Sequence, residues 1–315
     1  MAKDESRSSR AYLIGICILL VIIIALSVLS YLSYRNHNTL KAEKVTVEKE
    51  YNRVIDENAN LIFSGEELDK QIKEAADVES KIKEIKEETF ANISKLEKKI
   101  QAKETDAKIA YLTFDDGPYY NSWNVLETLD KYGIKATFFT TNINGEKCYE
   151  NKSANCHELY KEYAKRNMTI ANHTYTHAIH KGLYRSTDSF ITAVKNQEQL
   201  ISDLTGGYKT TIVRYPGGSG SAKAYKVFEG TSAKLREMGY GWVDWTAADG
   251  DGGSGLTTDK AWSNFTHSID QDIEVILFHD YSRITVPLLP KFIEHLQSKG
   301  YLILPLFYDS VMVNK

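Results

Sequence analysis

Short apolar runs recur from about residue 105 to the end of the chain, and helical or loop segments separate them. Several runs are apolar at successive positions, which is typical of parallel strands that are covered on both faces. Repeated β-then-α units over about 210 residues predict an α/β fold, built as a barrel or a doubly wound sheet. The candidate strands are IAYLTF, ATFFTT, MTIANH, TIVRYP, YGWVDW, VILFHD and YLILPL, and the candidate helices are Ser122–Tyr132, Ala193–Thr205 and Val286–Lys299.

The first third of the chain has a different organisation. No residue from Ala11 to Tyr34 is charged, and this stretch is long enough to cross the hydrocarbon core of a membrane as a helix. A cleaved signal peptide would be shorter and would carry small residues at a cleavage site, so we favour a transmembrane anchor over 11–34. Residues 1–10 would then form a cytoplasmic tail. Positive charges flank both ends of the span in similar number and do not decide its orientation.

Residues 35–104 connect the predicted anchor to the β-rich part. From residue 38 onward this segment is rich in Lys and Glu, lacks proline and contains a single glycine, Gly65, which predicts a helix. An apolar seam runs along part of it, but Glu79, Lys86 and Thr89 interrupt the repeat. We therefore favour a helical stalk that acts as a spacer, with self-association through the stalk as an open alternative.

Composition excludes one class of partner and leaves the state of the cysteines open. Lys and Arg total 39 against 42 Asp and Glu, for a formal net charge of −3. This balance gives no general attraction to nucleic acid, so we expect no nucleic-acid partner and a local recognition site. Cys148 and Cys156 are the only cysteines outside the predicted anchor, and their spacing is compatible with a disulfide or with two free thiols.

Unusual polar residues follow four of the candidate strands. In parallel α/β folds ligands bind at the carboxyl edge of the sheet, so these polar clusters are predicted to converge. Each cluster alone is a weak signal, because a His-x-x-x-His pair, an Asp-Gly-Pro turn or a lone histidine often arises by chance. The clusters are Asp115-Asp116, His173 with His177, Arg214, and His279-Asp280.

Two imidazoles and one carboxylate suit a divalent transition metal and leave coordination positions open for a reaction. Asp116, His173 and His177 are the candidate ligands, and they predict a metal site that serves a hydrolytic reaction. Non-haem iron oxygenases use the same donor types. In those enzymes a His-x-Asp pair usually comes first, whereas here the aspartate precedes both histidines, so the ligand order argues against an oxygenase.

The neighbouring residues predict acid–base chemistry beside the metal. Asp115 need not bind the ion and can act as a base on a water whose pKa the metal lowers. Arg214 would keep that base ionised. His279 comes from a distant strand and has the pKa range needed to protonate a leaving group. A base, an arginine that keeps the base ionised, and an acid are the groups that a hydrolytic reaction requires.

These motifs resemble those of the polysaccharide deacetylase family, the NodB homology domain of carbohydrate esterase family 4, over about residues 105–310. LTFDDGP at 112–118 resembles the first motif, which implies that Asp115 is the catalytic base and Asp116 a metal ligand. NHTYTH at 172–177 resembles the second motif, which implies that His173 and His177 are the other ligands.

Two further motifs follow in the family's order. RYPGG at 214–218 resembles the third, which implies that Arg214 braces the base and that a backbone N–H near Gly217 helps to hold an oxyanion. LFHD at 277–280 resembles the fifth, which implies that Leu277 lines an acetyl pocket and that His279 is the acid. The residues expected to bind substrate are Tyr215, Pro216, Gly217, Trp245 and Leu277.

The fourth motif departs from the family pattern, in which an Asp-Trp pair follows a strand. Asp244-Trp245 matches literally. Aligning Trp245 with the tryptophan that begins this segment instead places Asp251 at the aspartate and Gly252 at the tryptophan. We favour Asp251 as the residue that orients His279, because variants resembling WTAADGDG occur within the family. Asp244 is the alternative.

The resemblance implies a distorted, incomplete (β/α) barrel of the NodB type that removes acetyl from an N-acetylated sugar. Zinc is the expected ion, with cobalt, nickel or manganese as substitutes. Because the chain is similar to membrane-anchored peptidoglycan deacetylases, we expect a single-pass membrane protein whose catalytic domain, 105–315, is extracellular and acts on peptidoglycan N-acetylglucosamine. The alternatives are N-acetylmuramic acid, chitin-type or poly-N-acetylglucosamine substrates, O-acetylated xylan, and a catalytically silent wall-binding module.

Overall fold

The computed structural model describes residues 84, 87–148 and 155–315. The predicted cytoplasmic tail (1–10), the predicted anchor (11–34) and most of the predicted stalk (35–104) lie outside these residues and stay predictions. Within the described residues, no helix is both long enough and apolar enough to cross a membrane.

In the part of the chain that the structure describes, eight strands form one sheet. They are β1 (Lys108–Asp115), β2 (Thr137–Thr140), β3 (Thr169–Asn172), β4 (Ile212–Val213), β5 (Gly241–Trp242), β6 (Ala247–Ala248), β7 (Ile273–His279) and β8 (Tyr301–Leu304). The strand order is β5-β4-β3-β2-β1-β7-β6, with β8 also beside β1. Every pairing among these strands is parallel. The sheet ends at β5 and β6, which confirms the predicted parallel α/β half-barrel.

Strand β1 is the centre of the sheet. On one edge, β7 pairs with it from Ile109 to Asp115. The other edge is shared, because β8 pairs with its first half and β2 with its last three residues. Every residue of β1 after Lys108 is buried, as expected for a parallel strand that is covered on both faces.

The two faces of β1 have different partners. Ala110, Leu112 and Phe114 belong to the main apolar core, where the Phe114 ring stacks on Phe138 with centroids 5.2 Å apart. Because side chains alternate along a strand, Thr113 and Asp115 point to the opposite face. The register of β1 thus places Asp115 inside the curved sheet, at its carboxyl end.

Helices cover the outside of the sheet. They are α1 (Ser122–Lys131), α2 (Cys156–Lys165), α3 (Thr187–Thr205), α4 (Gly218–Ala224), α5 (Phe228–Glu237), α6 (Thr258–Ser268) and α7 (Thr285–Ser298). The apolar periodicity predicts α1, α7 and the last two thirds of α3. It does not predict α6, which buries only Ala261 and Phe265, or α4, whose sequence is GSGSAKA.

A further helix covers residues 87–101. The chain divides into two compact units, and the larger comprises Ile93–Ala164 and Met168–Lys315. Of the smaller unit, the structure describes 84, 87–92 and 165–167. The last turns of this helix thus pack within the larger unit, ahead of the predicted boundary at residue 105.

Glu97 joins this helix to the sheet. Its side chain is fully buried, and its carboxylate accepts hydrogen bonds from the Tyr111 hydroxyl (2.7 Å), the Ser310 hydroxyl (2.5 Å) and the Val311 backbone N–H (3.1 Å). Just after the helix, Lys103 pairs with Asp272 at 2.7 Å. Asp272 immediately precedes β7, so the segment that leads from this helix into β1 lies at the amino edge of the sheet.

Cys148 and Cys156 form a disulfide. Their spacing is compatible with a disulfide or with two free thiols, and in the structure they are bonded. Both residues are buried. The bond ties the segment that follows β2 to the first residue of α2.

Candidate metal centre and active site

The polar clusters converge at the carboxyl edge of the sheet, as predicted. Asp115 at the end of β1 is in register with His279 at the end of β7. On the other side of β1, the His173 backbone N–H donates to the Thr140 carbonyl that ends β2, at 3.0 Å. The Arg214 N–H donates to the carbonyl that ends β3, also at 3.0 Å. Strands from both halves of the sheet therefore deliver side chains to one site.

Three of these side chains form a candidate metal site. Asp116, His173 and His177 each place one donor atom within 4.8 Å of the others. Oδ1 of Asp116 lies 3.6 Å from Nε2 of His173 and 3.4 Å from Nε2 of His177. Neighbouring donors around tetrahedral zinc lie about 3.4 Å apart when the bonds are about 2.0–2.2 Å long. The triad has the spacing of metal ligands.

Two further observations fit a cation here. Oδ1 of Asp116 is buried and has no hydrogen-bond partner among the residues that the structure describes. A buried carboxylate oxygen without a partner is costly, and a bound cation supplies one. Nδ1 of His173 donates to the Arg214 carbonyl at 2.8 Å, which leaves Nε2 for the metal. Burial lowers the pKa of His173 and so favours the neutral imidazole that a ligand must be.

The backbone of the candidate ligands is strained. The φ angle is +68° at Asp116, +66° at Thr174 and +48° at His177. Residues other than glycine rarely adopt such angles, which cost about 1–3 kcal/mol each. Local hydrogen bonds hold two of the three: the Thr174 N–H donates to Oδ1 of Asn172 (2.9 Å), and the His177 N–H donates to Oγ1 of Thr174 (3.3 Å). The strain fixes the direction in which the ligand side chains point.

Arg214 holds Asp115 in one orientation. The arginine is fully buried, and its Nη1 donates to Oδ1 of Asp115 (2.8 Å) and to Oγ1 of Thr113 (2.7 Å). Its Nε and Nη2 donate to the backbone carbonyls of residues 243 and 244. The second oxygen of Asp115, Oδ2, lies 3.5 Å from Nε2 of His173 and therefore faces the candidate metal site.

His279 is paired with Asp251. Nδ1 of His279 is 2.6 Å from Oδ1 of Asp251, and its backbone N–H donates to Oδ2 at 2.8 Å. Burial opposes a charge on the imidazole, but the hydrogen bond and the charge of Asp251, aided by Asp116 and Asp115, raise the pKa of His279 to about 9. Nε2 lies 3.8 Å from Oδ2 of Asp116. The free nitrogen of His279 thus faces the site.

Asp244, the alternative partner of His279, is engaged elsewhere. Its carboxylate accepts hydrogen bonds from the backbone N–H (2.9 Å) and the hydroxyl (2.5 Å) of Ser219 at the start of α4. The next residue, Trp245, is 37% exposed. Its ring lies beside the backbone of Gly218 and 5.9 Å from the Arg214 guanidinium carbon. Trp245 is therefore open to solvent beside the RYPGG loop.

The other residues expected to bind substrate differ in how far they are exposed to solvent. Tyr215 is fully buried, with its ring stacked on Phe190 and its hydroxyl 3.1 Å from that of Thr231. The Tyr215 side chain is thus part of the core, and a contact between Tyr215 and substrate stays a prediction. Pro216 is buried, Gly217 is exposed in a left-handed conformation (φ +69°), and Leu277 lies near the end of β7 with 8% of its surface exposed.

Asp280 belongs to the site, although the sequence assigns it no role. It is fully buried, and Oδ2 accepts a hydrogen bond from the Ser122 hydroxyl. Burial raises the pKa of Asp280 to about 7. A Cβ atom at Gly117 would overlap Oδ2, so the carboxyl packs directly under the loop that carries Asp116. Its position directly after His279 is the one signal in the sequence that marks it.

Comparison with known proteins places this arrangement among carbohydrate-active enzymes. A family profile described as polysaccharide deacetylase matches residues 102–235, a range that includes Asp115, Asp116, His173, His177 and Arg214 and ends before Asp251 and His279. Among solved structures, the catalytic domain of peptidoglycan N-acetylglucosamine deacetylase from Eubacterium rectale is similar with a TM-score of 0.59. That domain is 30% identical in sequence, and the match covers 66% of this chain and 92% of the domain.

Two curated bacterial proteins are similar in sequence. The putative polysaccharide deacetylase YheN of Bacillus subtilis is 31% identical over 202 residues, which cover 62% of this chain and 65% of the relative. A peptidoglycan-N-acetylglucosamine deacetylase of Bacillus cereus is 29% identical over 201 residues, which cover 62% of this chain and 68% of the relative. The match thus spans about two thirds of each of these relatives.

Proposed function

This chain belongs to the polysaccharide deacetylase family, and from that we propose that it hydrolyses N-acetyl groups of cell-wall glycan, with peptidoglycan N-acetylglucosamine as the substrate. The observation that carries the proposal is the convergence of Asp115, the Asp116–His173–His177 triad and His279 at one edge of the sheet. The proposal for the sugar rests on the relatives in Eubacterium rectale and Bacillus cereus that carry this activity in their names.

The triad would hold a divalent ion. Two imidazoles and one carboxylate suit zinc, and cobalt, nickel or manganese can use the same donors. When bound, the ion would polarise the amide carbonyl of the substrate and make a nearby water more acidic. The strained backbone at Asp116 and His177 and the hydrogen bond from Nδ1 of His173 hold the donor atoms in place for it.

We assign the role of general base to Asp115. Arg214 occupies Oδ1, so Oδ2 is the oxygen that faces the site. A water that donates a hydrogen bond to Oδ2 would lose its proton to Asp115 as its oxygen attacks the carbonyl carbon. The backbone N–H of Gly217, on the exposed RYPGG loop, is the proposed donor to the oxyanion that develops.

We assign the role of general acid to His279. Its pKa of about 9 keeps the imidazole charged at neutral pH, and Asp251 fixes Nδ1, so that Nε2 presents its proton to the site. As the C–N bond breaks, the leaving nitrogen would take this proton. The products are acetate and a free amine on the sugar.

The placement of the enzyme follows from the same substrate. We propose that residues 11–34 anchor the chain in the cell membrane and that the catalytic domain lies outside, where the wall glycan is. The charge-free stretch at 11–34 supports the anchor. The Cys148–Cys156 disulfide supports an oxidising compartment for the domain.

The test is mass spectrometry of muropeptides treated with the purified full-length chain in detergent, after loading with zinc. We expect loss of acetyl from N-acetylglucosamine, release of acetate, and no change with chelated protein. Acetyl loss from N-acetylmuramic acid would replace the proposed sugar with the other one. No release from any acetylated glycan, despite bound metal, would identify a silent wall-binding module.

Two variants test the assigned residues in the same assay. Asp115→Asn should keep the metal and lose turnover, because the amide cannot accept the proton of the attacking water. His173→Ala should lose metal binding, which elemental analysis of the dialysed protein measures directly. If both variants bind metal as the native chain does, the ligand set is wrong.

A further inference from the structure

A cluster of hydrogen bonds centred on the Thr285 hydroxyl lies next to Asp251, the partner of His279. Oγ1 of Thr285, the first residue of α7, is 2.8 Å from Oδ2 of Asp251, 2.6 Å from Oδ2 of Asp249 and 2.7 Å from Oγ of Ser282. Asp249 and Thr285 are fully buried, and Asp251 and Ser282 are nearly so. A single hydroxyl thus stands between two buried carboxyl groups and a second hydroxyl.

The number of hydrogens restricts how this cluster can be bonded. A threonine hydroxyl has one hydrogen to donate and two lone pairs to accept with. Three oxygen neighbours therefore require that one accepts from Thr285 and that the other two donate to it. Ser282 can be one donor through its own hydroxyl, so one of the two carboxyl groups must be the other. A carboxyl group donates only when it is protonated.

The surroundings decide which carboxyl carries the proton. Besides the Thr285 hydroxyl that both carboxyl groups contact, Asp251 faces two N–H groups of His279, Nδ1–H and the backbone N–H. Such donors stabilise an ionised carboxylate. Asp249 receives one N–H, from the backbone of Asp251 at 3.1 Å. Burial, together with the nearby charge of Asp251, raises the pKa of Asp249 to about 7, in agreement with the hydrogen-bond count.

We propose that Asp249 is a positioning residue for the deacetylation reaction: its protonated carboxyl donates to Thr285, and Thr285 donates to Asp251. This inference rests on the proposed function, in which His279 is the acid. Oδ2 of Asp251 then receives both the Thr285 hydroxyl and the His279 backbone N–H, and Oδ1 is left for the imidazole. The orientation of Asp251, and through it that of His279, is set from α7 and from the loop after β6.

Substitutions at Asp249 separate this role from a simple structural one. Asparagine has nearly the same shape as a protonated aspartate, and its amide can donate to Thr285 in the same direction. Asp249→Asn should therefore retain most of the activity. Asp249→Leu fills the space without a donor and should reduce kcat by roughly ten- to a hundredfold with little change in KM, because an acid that is poorly oriented fails in the chemical step.

Two substitutions at Thr285 make the same comparison from the other side of the hydrogen bond. Thr285→Ser keeps the hydroxyl and should behave as the native protein does, whereas Thr285→Val keeps the shape, loses the link and should resemble Asp249→Leu. Acetate release from muropeptides by the full-length, zinc-loaded chain gives kcat and KM for all four variants. Thermal unfolding confirms that each variant is folded, so that a loss of kcat can be assigned to the site.

A spectroscopic measurement tests the proton itself, independently of activity. At about pH 6 the infrared difference spectrum between the native chain and Asp249→Leu should contain the carbonyl stretch of a protonated carboxylic acid. A folded Asp249→Asn variant as inactive as Asp249→Leu, or a difference spectrum without that band, overturns the proposal. An inactive native chain would instead overturn the proposed function, and the infrared band would still report the proton.

Discussion

Asp251 determines the charge of His279, and its substitution has a predictable direction. The native imidazole has a pKa of about 9 because Asp251 lies against Nδ1. In Asp251→Asn the negative charge is gone, so the pKa of His279 falls and less of the imidazole is protonated at neutral pH. The alkaline limb of the kcat profile should move to lower pH, and kcat at neutral pH should fall by about tenfold or more.

Asp244→Asn is the control for this measurement. Asp244 contacts Ser219 and not His279, so the alkaline limb should stay where it is in the native enzyme. A shift of the same size in both variants would show that the limb does not report on the Asp251–His279 pair.

Gly117 follows Asp116, and the structure leaves no room for a side chain there. A Cβ atom would overlap Oδ2 of Asp280, so Gly117→Ala must displace either the buried carboxyl or the loop that carries the candidate ligand. We expect weaker zinc binding, measured by competition with a chelating dye, and a loss of stability of about 1–3 kcal/mol. Gly220→Ala is the control, because a Cβ atom at Gly220 meets no atom within 4 Å. Equal metal affinity in both alanine variants would contradict the prediction.

Individual residues show what the sequence can and cannot predict. It predicts that the metal donors and Asp115 meet, because each follows an apolar strand and parallel strands end at one edge. The choice between Asp251 and Asp244 is decided by the path of the loop after β5 and β6, which periodicity does not describe. Tyr215 carries a polar hydroxyl within a functional motif, yet packing against Phe190 buries it. Which way a loop side chain turns depends on tertiary contacts.

A buried carboxylate, that of Glu97, helps to hold the helix over 87–101 to the sheet. In Glu97→Ala the hydroxyls of Tyr111 and Ser310 lose their acceptor, and buried groups without partners cost about 1–3 kcal/mol each. We expect the free energy of unfolding, measured with urea, to fall by about 2–4 kcal/mol. Lys95→Ala removes an exposed side chain from the same helix and should change it by about 0.5 kcal/mol or less. Equal effects would mean that the helix does not depend on Glu97.

Some strands and helices can be predicted from the sequence, and others cannot. The long strands β1 and β7 and the amphipathic helices α1 and α7 are evident from apolar patterns, because they bury a complete face. Strands β4, β5 and β6 have two residues each, too few to show a period. Helices α5 and α6 bury small or polar residues as well as apolar ones. Parallel pairing with neighbouring strands, rather than a local pattern, makes β4, β5 and β6 regular.

At the scale of the whole molecule, metal binding should stabilise the fold. The triad joins residues that follow β1 and β3, so unfolding would separate the candidate ligands and release a bound ion. Free zinc at 100 times its dissociation constant would add about 2.7 kcal/mol to the free energy of unfolding. For a domain of this size that corresponds to a rise in Tm of about 5–10 °C. The rise should disappear in His173→Ala, and a rise of equal size in that variant would place the bound zinc elsewhere.

The segment between the helix over 87–101 and β1 lies at the amino edge of the sheet, where Lys103 pairs with Asp272, and the candidate site is at the carboxyl edge. The seven residues of β7 separate these two edges, a distance of about 20 Å at 3.3 Å per residue. A solid support coupled to the exposed Lys103 side chain would therefore hold the larger unit at the edge opposite the site. Such a support-bound enzyme could still process an insoluble glycan, a substrate too large to diffuse to a site that faced its own attachment point.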